Sequence, residues 1–151
     1  MSGTSLRIRD FHPKDLETLY EIDRLCFPAE IAFTRRDFLY MLGYPDSIAR
    51  IAHESCGVVG FILGNIESGR RGRILTLDVV PAARRRGIGF GLMEDFHHIL
   101  RTRNIREVVL EVGTDNYAAQ RLYEKMQYRR VETLSGYYGG NMDAYRMMRI
   151  V

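Results

Sequence analysis

Two periods of hydrophobic and polar positions alternate along the chain and predict helices and strands in one continuous succession. In four segments apolar residues recur at the spacing of a helix. In seven others apolar and polar residues alternate or β-branched residues dominate, which is typical of strands. The predicted helices cover 14–27, 34–43, the segment that follows Gly89 and the segment that Asp115 or Asn116 caps. The predicted strands cover 6–9, 48–53, 58–66, 74–80, 107–112, 128–134 and 142–150.

This succession predicts one α/β domain that spans residues 1–151. The order of elements is β α α β β β α β α β β, and no repeat, linker or break in composition interrupts it. A helix that follows a single strand brings the next strand back parallel to the first, so we expect a mixed, partly parallel sheet with helices on its faces. The segment 6–9 is expected to be an edge strand.

Composition excludes several classes of protein. The 151 residues are 46% hydrophobic and 27% charged, which is typical of one soluble globular domain. The longest apolar stretch, 57–66, is shorter than the roughly 18 residues of a membrane span, and the N-terminus lacks the apolar core of a secretory signal. We therefore expect a cytoplasmic protein without a membrane partner. Cys26 and Cys56 fit neither a disulfide framework nor a metal motif, and no metal is expected.

The sharpest local signal is a basic, glycine-rich turn between a strand and a helix. The turn contains Pro81, Arg84, Arg85, Arg86, Gly87 and Gly89. Glycines let backbone N–H groups converge on an anion, the positive end of the helix adds to that field, and arginine forks match phosphate geometry. The spacing fits neither a Walker loop nor the dinucleotide fingerprint. A pyrophosphate would fit this turn, although a solvated basic turn that only begins a helix is an alternative.

The turn and several later segments resemble motifs of the GNAT family of N-acetyltransferases. Residues 78–89, Asp-Val-Val-Pro-Ala-Ala-Arg-Arg-Arg-Gly-Ile-Gly, resemble the family motif in which Arg/Gln-x-x-Gly-x-Gly/Ala holds the pyrophosphate of coenzyme A. Segments 110–112, 115–119 and 122–125 resemble the second half of the motif set. Segments 27–28, 137–138 and 143–144 are similar to parts of the RimI-type protein N-terminal acetyltransferases. The resemblance covers nearly the whole chain.

This resemblance implies the GNAT fold, whose sheet is splayed between the fourth and fifth strands, with acetyl-CoA as cosubstrate in the gap. The pantetheine arm is then expected to pair with the fourth strand, and the N–H of Val79 to polarise the thioester carbonyl. Asn116 is expected to hydrogen-bond the cofactor, a role compatible with capping its helix. The expected cofactor-binding residues are Leu77, Asp78, Val79, Arg84, Arg85, Arg86, Gly87, Ile88, Gly89, Phe90 and Asn116.

The resemblance also assigns chemistry to Glu111 and Tyr123. Glu111 interrupts an apolar strand and would accept the proton of the amine, directly or through water, although a carboxylate at a strand end is usually solvated. Tyr123, whose phenol is protonated at neutral pH, would donate to the departing thiolate, although an aromatic residue on an apolar stripe is usually core. Asp78 is an alternative base or amine binder. The residues expected to bind the acceptor are Phe27, Tyr137 and Tyr138.

These features predict acetyl transfer from acetyl-CoA to the N-terminal α-amine of a protein or peptide, with a ribosomal protein among the acceptors that the resemblance suggests. An α-amine, with a reference pKa of roughly 8, is easier to acetylate than lysine, near 10.4. The expected mechanism is direct attack in a ternary complex, and the chain is expected to be a monomer or homodimer.

Departures from the RimI pattern leave the acceptor open. No tryptophan follows 27–28, Gly113 stands where an arginine is common, and Gln127 replaces a glycine. The alternatives are a family member that acts on a small-molecule amine or a lysine side chain, and a non-catalytic module that binds acyl-CoA, phosphate or RNA. Aromatic residues are not interleaved with the arginines, so no nucleic-acid partner is expected.

Overall fold

The residues that the structure describes form one seven-stranded sheet flanked by four α-helices. A computed structural model describes residues 5–68 and 70–151; residues 1–4, part of the segment tested for a secretory signal, lie outside it. The strands are β1 (Arg7–Asp10), β2 (Ser47–Glu54), β3 (Gly57–Glu67), β4 (Arg71–Val79), β5 (Glu107–Gly113), β6 (Arg129–Leu134) and β7 (Ala144–Ile150). The helices are α1 (Leu16–Cys26), α2 (Arg35–Leu42), α3 (Ile88–Thr102) and α4 (Tyr117–Lys125). None of the helices in the described residues is long and apolar enough to cross a membrane.

The sheet is mixed and splays at its centre. Its strand order is β1-β2-β3-β4-β5-β7-β6, so β1 is an edge strand as predicted. Among the described strands, only β4 and β5 are parallel neighbours, and their pairing runs from Arg71 opposite Glu107 to Ile74 opposite Leu110. Beyond Ile74, β4 continues to pair with β3 as far as Val79, whereas its other edge separates from β5. The predicted splay between the fourth and fifth strands is confirmed.

Two apolar clusters hold the helices against opposite faces of the sheet. Phe61 and Ile62, neighbours in β3, belong to different clusters because successive side chains of a strand point to opposite faces. On one face the fully buried apolar residues of α3 are Leu92, Met93, Phe96 and Leu100. On the other face, Leu19 and Ile22 of α1 and Phe38 and Met41 of α2 are buried. Each such side chain contributes about 1.5–3 kcal/mol on burial, so both faces anchor the central strands.

Several boundaries differ from the sequence prediction because pairing partners distant in sequence decide them. A 3-10 turn at Pro13–Asp15, capped by His12, precedes α1 in place of a helix from residue 14. β4 begins at Arg71 instead of residue 74, since its polar first residues pair with both β3 and β5. The register changes at Leu75, which has no partner while Ile74 faces Gly64, so β4 bulges just where it leaves β5.

Candidate active site

The edge of β4 beyond the bulge presents main-chain groups to the gap. Val80 donates its N–H to the carbonyl of Val59 at 2.9 Å, which marks a hydrogen-bonded pair of the β3–β4 ladder. Hydrogen-bonded and non-hydrogen-bonded pairs alternate in an antiparallel ladder. Leu77 and Val79 therefore direct their main-chain groups into the gap, whereas Asp78 directs its groups to β3. This differs from the expectation that the backbone of Asp78 contributes to the cofactor site.

Close packing of β3 and local hydrogen bonds fix this edge. A Cβ added to Gly60 would lie 2.6 Å from the carbonyl oxygen of Asp78, so glycine is needed where the two strands approach each other. The carbonyl of Val79 accepts from the thiol of Cys26 at 3.4 Å and from Nε of Arg84 at 3.0 Å. The carbonyl of Val79 is thus engaged within the protein, and its N–H is the group that faces the gap.

The turn after β4 leads directly into the start of α3. Gly87 has a φ of 79°, a left-handed conformation that glycine adopts without strain, and Gly91 donates the first helical hydrogen bond to its carbonyl at 3.0 Å. The N–H groups of Ile88, Gly89 and Phe90 precede that bond and have no helical acceptor. Together with the positive end of α3 they form a cradle suited to a diphosphate.

The three arginines of the turn have different surroundings. Arg86 forms an ion pair with Glu54, whose side chain at the end of β2 is only 4% exposed. Arg84 folds back onto the carbonyl of Val79. Arg85 is exposed and has a φ of 64°. Arg86 therefore anchors the turn to the sheet, and Arg85 is the arginine of the turn that has no hydrogen bond or ion pair among the described residues.

Glu111 lies at the centre of a charge network on β5. Its carboxylate accepts from Nη1 of Arg73 on β4, from Nε of Arg146 on β7 at 2.9 Å, and from the hydroxyl of Tyr137 at 3.5 Å. Its side chain is 6% exposed. Both oxygens therefore accept from guanidinium groups, which hold the carboxylate in a fixed position. The two arginines extend the network to Glu67 and Glu132.

Tyr123 presents a protonated phenol inside the same region. Its side chain on α4 is 7% exposed, and burial, followed by the nearby Asp78 carboxyl, raises its pKa. Among the described residues its hydroxyl has no hydrogen-bond partner, whereas the adjacent Tyr128, whose ring centroid is 5.9 Å away, bonds His97. Tyr123 is thus a proton donor whose hydroxyl is not committed to the protein.

The loop between β6 and β7 brings two aromatic rings over the carboxylate. Tyr137 and Tyr138 pack edge to face with centroids 4.9 Å apart, and the N–H of Gly136 donates to Asp143 at 2.7 Å to fix the loop. Burial raises the pKa of Tyr138 to about 12. The structure therefore brings Tyr137 to Glu111.

Two further predicted site residues, Asn116 and Phe27, lie at helix ends. The side chain of Asn116 caps α4 by accepting the N–H of Ala119 at 3.3 Å, as the capping prediction required. Phe27 is half-buried, follows α1 with extended backbone and begins the 27–34 segment that leads to α2.

Sequence reasoning missed four residues of the site. Arg73 and Arg146, which bind Glu111, come from strands distant in sequence and carry no local signal. Asp23 and Thr76, which surround the side chain of Asp78, were also missed. Asp23 did leave a signal, since it is a charged residue within the apolar stripe of α1.

The described residues contain no group of three or more histidine, cysteine or acidic residues placed to hold a metal ion.

Comparison with known proteins agrees with this geometry. Residues 16–128 match the model of the acetyltransferase (GNAT) family. The chain is 30% identical to an N-alpha-acetyltransferase of Saccharolobus solfataricus, over 97% of this chain and 94% of that protein. Its structure matches that of Ard1 from Thermoplasma volcanium with a TM-score of 0.88 and 36% identity, over 97% of both chains. It also matches Arabidopsis thaliana NAA60 in complex with acetyl-CoA, with a TM-score of 0.85 and 27% identity, over 97% of this chain and 99% of that one.

The sheet is splayed, and its open strand edge leads into a helix start that is suited to bind an anion. This combination defines an acyltransferase that uses a coenzyme A thioester. The chain belongs to the GNAT family, and it is an acetyl-CoA-dependent acetyltransferase. The edge of Leu77 and Val79 that β5 leaves open and the N–H cradle of α3 fit this cosubstrate.

Proposed function

We propose that this acetyltransferase transfers the acetyl group of acetyl-CoA directly to the N-terminal α-amine of a protein or peptide in a ternary complex. The observation that carries the proposal is the engagement of Glu111 by two arginines. A single carboxylate in a fixed position is enough to accept the proton of an amine that is already partly neutral. An α-amine meets that condition, with a reference pKa of roughly 8 against 10.4 for lysine. The N-alpha-acetyltransferase name of the Saccharolobus solfataricus relative supports the same acceptor.

The residues of the turn and of β4 bind the cosubstrate in this proposal. The N–H groups of Ile88, Gly89 and Phe90 hold the diphosphate, and Arg85 adds a charge-assisted bond. Leu77 and Val79 pair with the pantetheine arm as an added strand would. The N–H of Val79 stabilises the negative charge that develops on the thioester oxygen during attack.

Three side chains handle the acceptor and the protons. Glu111 accepts the proton of the amine, directly or through water. Tyr123 donates its phenolic proton to the sulfur that leaves. Tyr137, bonded to Glu111, and the adjacent Tyr138 grip the backbone of the acceptor, with Phe27 on the other side of the entrance.

The acceptor is tested with one peptide sequence in two forms. Both forms contain one internal lysine; one has a free N-terminus and the other is blocked by a formyl group. Each is incubated with acetyl-CoA, release of free thiol is followed, and the modified nitrogen is located by tandem mass spectrometry. We expect acetylation of the α-nitrogen of the free form alone. Acetylation of the lysine at equal rates in both forms, or preferential acetylation of a polyamine, would contradict the proposal.

A ribosomal protein as the natural acceptor stays a prediction. The ribosomal-protein-S18-alanine N-acetyltransferase of Escherichia coli matches the structure with a TM-score of 0.88 but only 21% identity, which supports the shared fold alone. Peptides that begin with Ala, Ser and Met in the same assay would rank the N-terminal residues that this site accepts.

A further inference from the structure

Two aspartates that the proposed mechanism does not use face each other beneath the active site. Asp23 on α1 and Asp78 on β4 are both 0% exposed, and their side chains lie within hydrogen-bonding reach of each other. One oxygen of each carboxyl group is held elsewhere: the N–H of Phe33 donates to Oδ2 of Asp23 at 2.7 Å, and the hydroxyl of Thr76 donates to Oδ1 of Asp78 at 2.5 Å. In the described part of the chain, Oδ1 of Asp23 and Oδ2 of Asp78 are buried without an N–H or O–H partner.

Two adjacent carboxylates cannot both stay charged in such a place. A buried charge without a partner is costly, and a second charge of the same sign adds repulsion. One shared proton replaces that repulsion with a charge-assisted O–H···O bond. Burial, followed by the neighbouring Asp23 carboxyl, raises the pKa of Asp78 well above its ordinary value.

In the described residues, none of the other ionisable groups near the pair donates a hydrogen bond to Oδ1 of Asp23 or Oδ2 of Asp78. Cys26 on the same helix is a thiol whose pKa burial raises to about 11, and Tyr123 on α4 is a protonated phenol. Arg84 on the turn favours the charged form of Asp78 but donates to the carbonyl of Val79. Phe61 of β3, which lies opposite Asp78 in the ladder, is apolar. The proton between the two aspartates is therefore the contact that makes their burial tolerable.

The pair connects the two sides of the active site. Asp78 lies between Leu77 and Val79, whose main-chain groups line the gap. Asp23 holds the N–H of Phe33, which belongs to the 27–34 segment. Phe27 of that segment is one of the residues that we propose contact the acceptor. A bond between the two aspartates therefore ties that segment to the strand that we propose binds the thioester.

We propose that Asp23 and Asp78 share one proton and act as a positioning pair that holds the 27–34 segment against β4, which sets the affinity for the acceptor peptide. The inference rests on the proposed function, because it assumes that the acceptor binds beside this segment. When the shared proton is lost at alkaline pH, the two charges repel, the segment is released and the KM for the peptide rises.

Two substitutions at one position test the pair. Asp78→Asn keeps the bond, since its amide can donate to Asp23 and its carbonyl can accept from Thr76, but it cannot lose a proton. We expect a peptide KM within about twofold of wild type at neutral pH and no alkaline increase. Asp78→Ala removes the bond. It should raise the peptide KM about tenfold, an effect typical of losing one buried hydrogen-bond partner. The Kd for acetyl-CoA should stay unchanged. Asp95→Ala, which breaks an ion pair with Arg50 elsewhere, is the control and should leave the peptide KM unchanged.

A second readout is independent of activity. Since the pKa of Asp78 is raised in the folded state, the folded protein holds this proton more tightly than the unfolded chain does. Wild-type stability should therefore fall as pH rises from about 4 toward the folded pKa, and Asp78→Asn should remove that part of the slope. Thermal melts between pH 5 and 9 compare the two proteins directly.

The possible results distinguish a failure of the positioning pair from a failure of the proposed function. Identical stability slopes for wild type and Asp78→Asn, or a normal peptide KM in folded Asp78→Ala, would overturn the positioning pair. A fall in kcat of more than about 100-fold in Asp78→Asn with unchanged KM would also overturn it, since that loss is typical of a proton acceptor in the reaction. A wild-type enzyme that acetylates no peptide would refute the proposed function, while the melts would still decide whether the proton is shared. If Asp78→Ala does not fold, the Asp78→Asn comparison decides alone.

Discussion

Replacing Tyr123 by phenylalanine removes one hydroxyl from the active site and tests the proposed proton donor. The ring of Tyr123 is buried on α4, but its hydroxyl has no hydrogen-bond partner among the described residues. The substitution therefore breaks no bond within the described structure, and we expect stability to change by less than about 1 kcal/mol. The departing thiolate, by contrast, loses its proton donor.

The expected loss of activity is large and confined to turnover. General acid catalysis typically contributes 10²- to 10⁴-fold, so kcat should fall at least about 100-fold, equivalent to about 2.7 kcal/mol of transition-state stabilisation. The Kd for acetyl-CoA, measured by calorimetry, should stay within about twofold, because the hydroxyl acts only on the sulfur that leaves. Steady-state thiol release at saturating peptide gives kcat.

Tyr128→Phe is the matched control in the same cluster. Its hydroxyl and Nε2 of His97 form a buried hydrogen bond of 2.6 Å, and burial lowers the pKa of His97 to about 4, so the ring is neutral. Loss of this bond should cost about 1–3 kcal/mol, or about 4 °C in Tm for each kcal/mol, and leave kcat unchanged. A Tyr123→Phe enzyme whose kcat is within threefold of wild type would refute the reasoning.

Three further substitutions address the other parts of the site. Glu111→Gln should lower kcat about tenfold or more without changing the Kd for acetyl-CoA, whereas Glu132→Gln, at the outer end of the same network, should not; steady-state kinetics compares them. Gly89→Val places a side chain beside the cradle and should weaken acetyl-CoA binding at least about tenfold by calorimetry, whereas Gly91→Val on the same helix should not. Tyr137→Phe should raise the peptide KM a few-fold at constant coenzyme affinity; an unchanged KM would remove Tyr137 from acceptor binding.

The order of elements was predictable because local periodicity determines which residues form helices and which form strands. The buried stripe of α3 and the β-branched runs of β3 and β5 are visible in the sequence alone. The start of β4 was not predictable, since Arg71 and Arg73 are stabilised there by pairing with two other strands and by Glu67 and Glu107. Such contacts leave no trace in a local pattern.

Only those parts of the candidate site that lie within a single sequence motif were predictable. The glycine turn and the positions of Glu111 and Tyr123 follow from the resemblance to the family. The arginines that engage Glu111 come from β4 and β7, 38 and 35 residues away in sequence, so their convergence depends on the strand order. Likewise, the sequence shows Asp78 only as one residue of an apolar strand. Its contact with Asp23 depends on the packing of α1 against β4.

The central claim is that the gap between β4 and β5 holds acetyl-CoA, with the diphosphate at the start of α3. A crystal structure of the protein grown with acetyl-CoA tests this most directly. We expect diphosphate oxygens within hydrogen-bonding distance of the N–H groups of Ile88, Gly89 and Phe90, and the thioester oxygen against the N–H of Val79. Coenzyme bound at another surface, with these N–H groups facing only water, would contradict it.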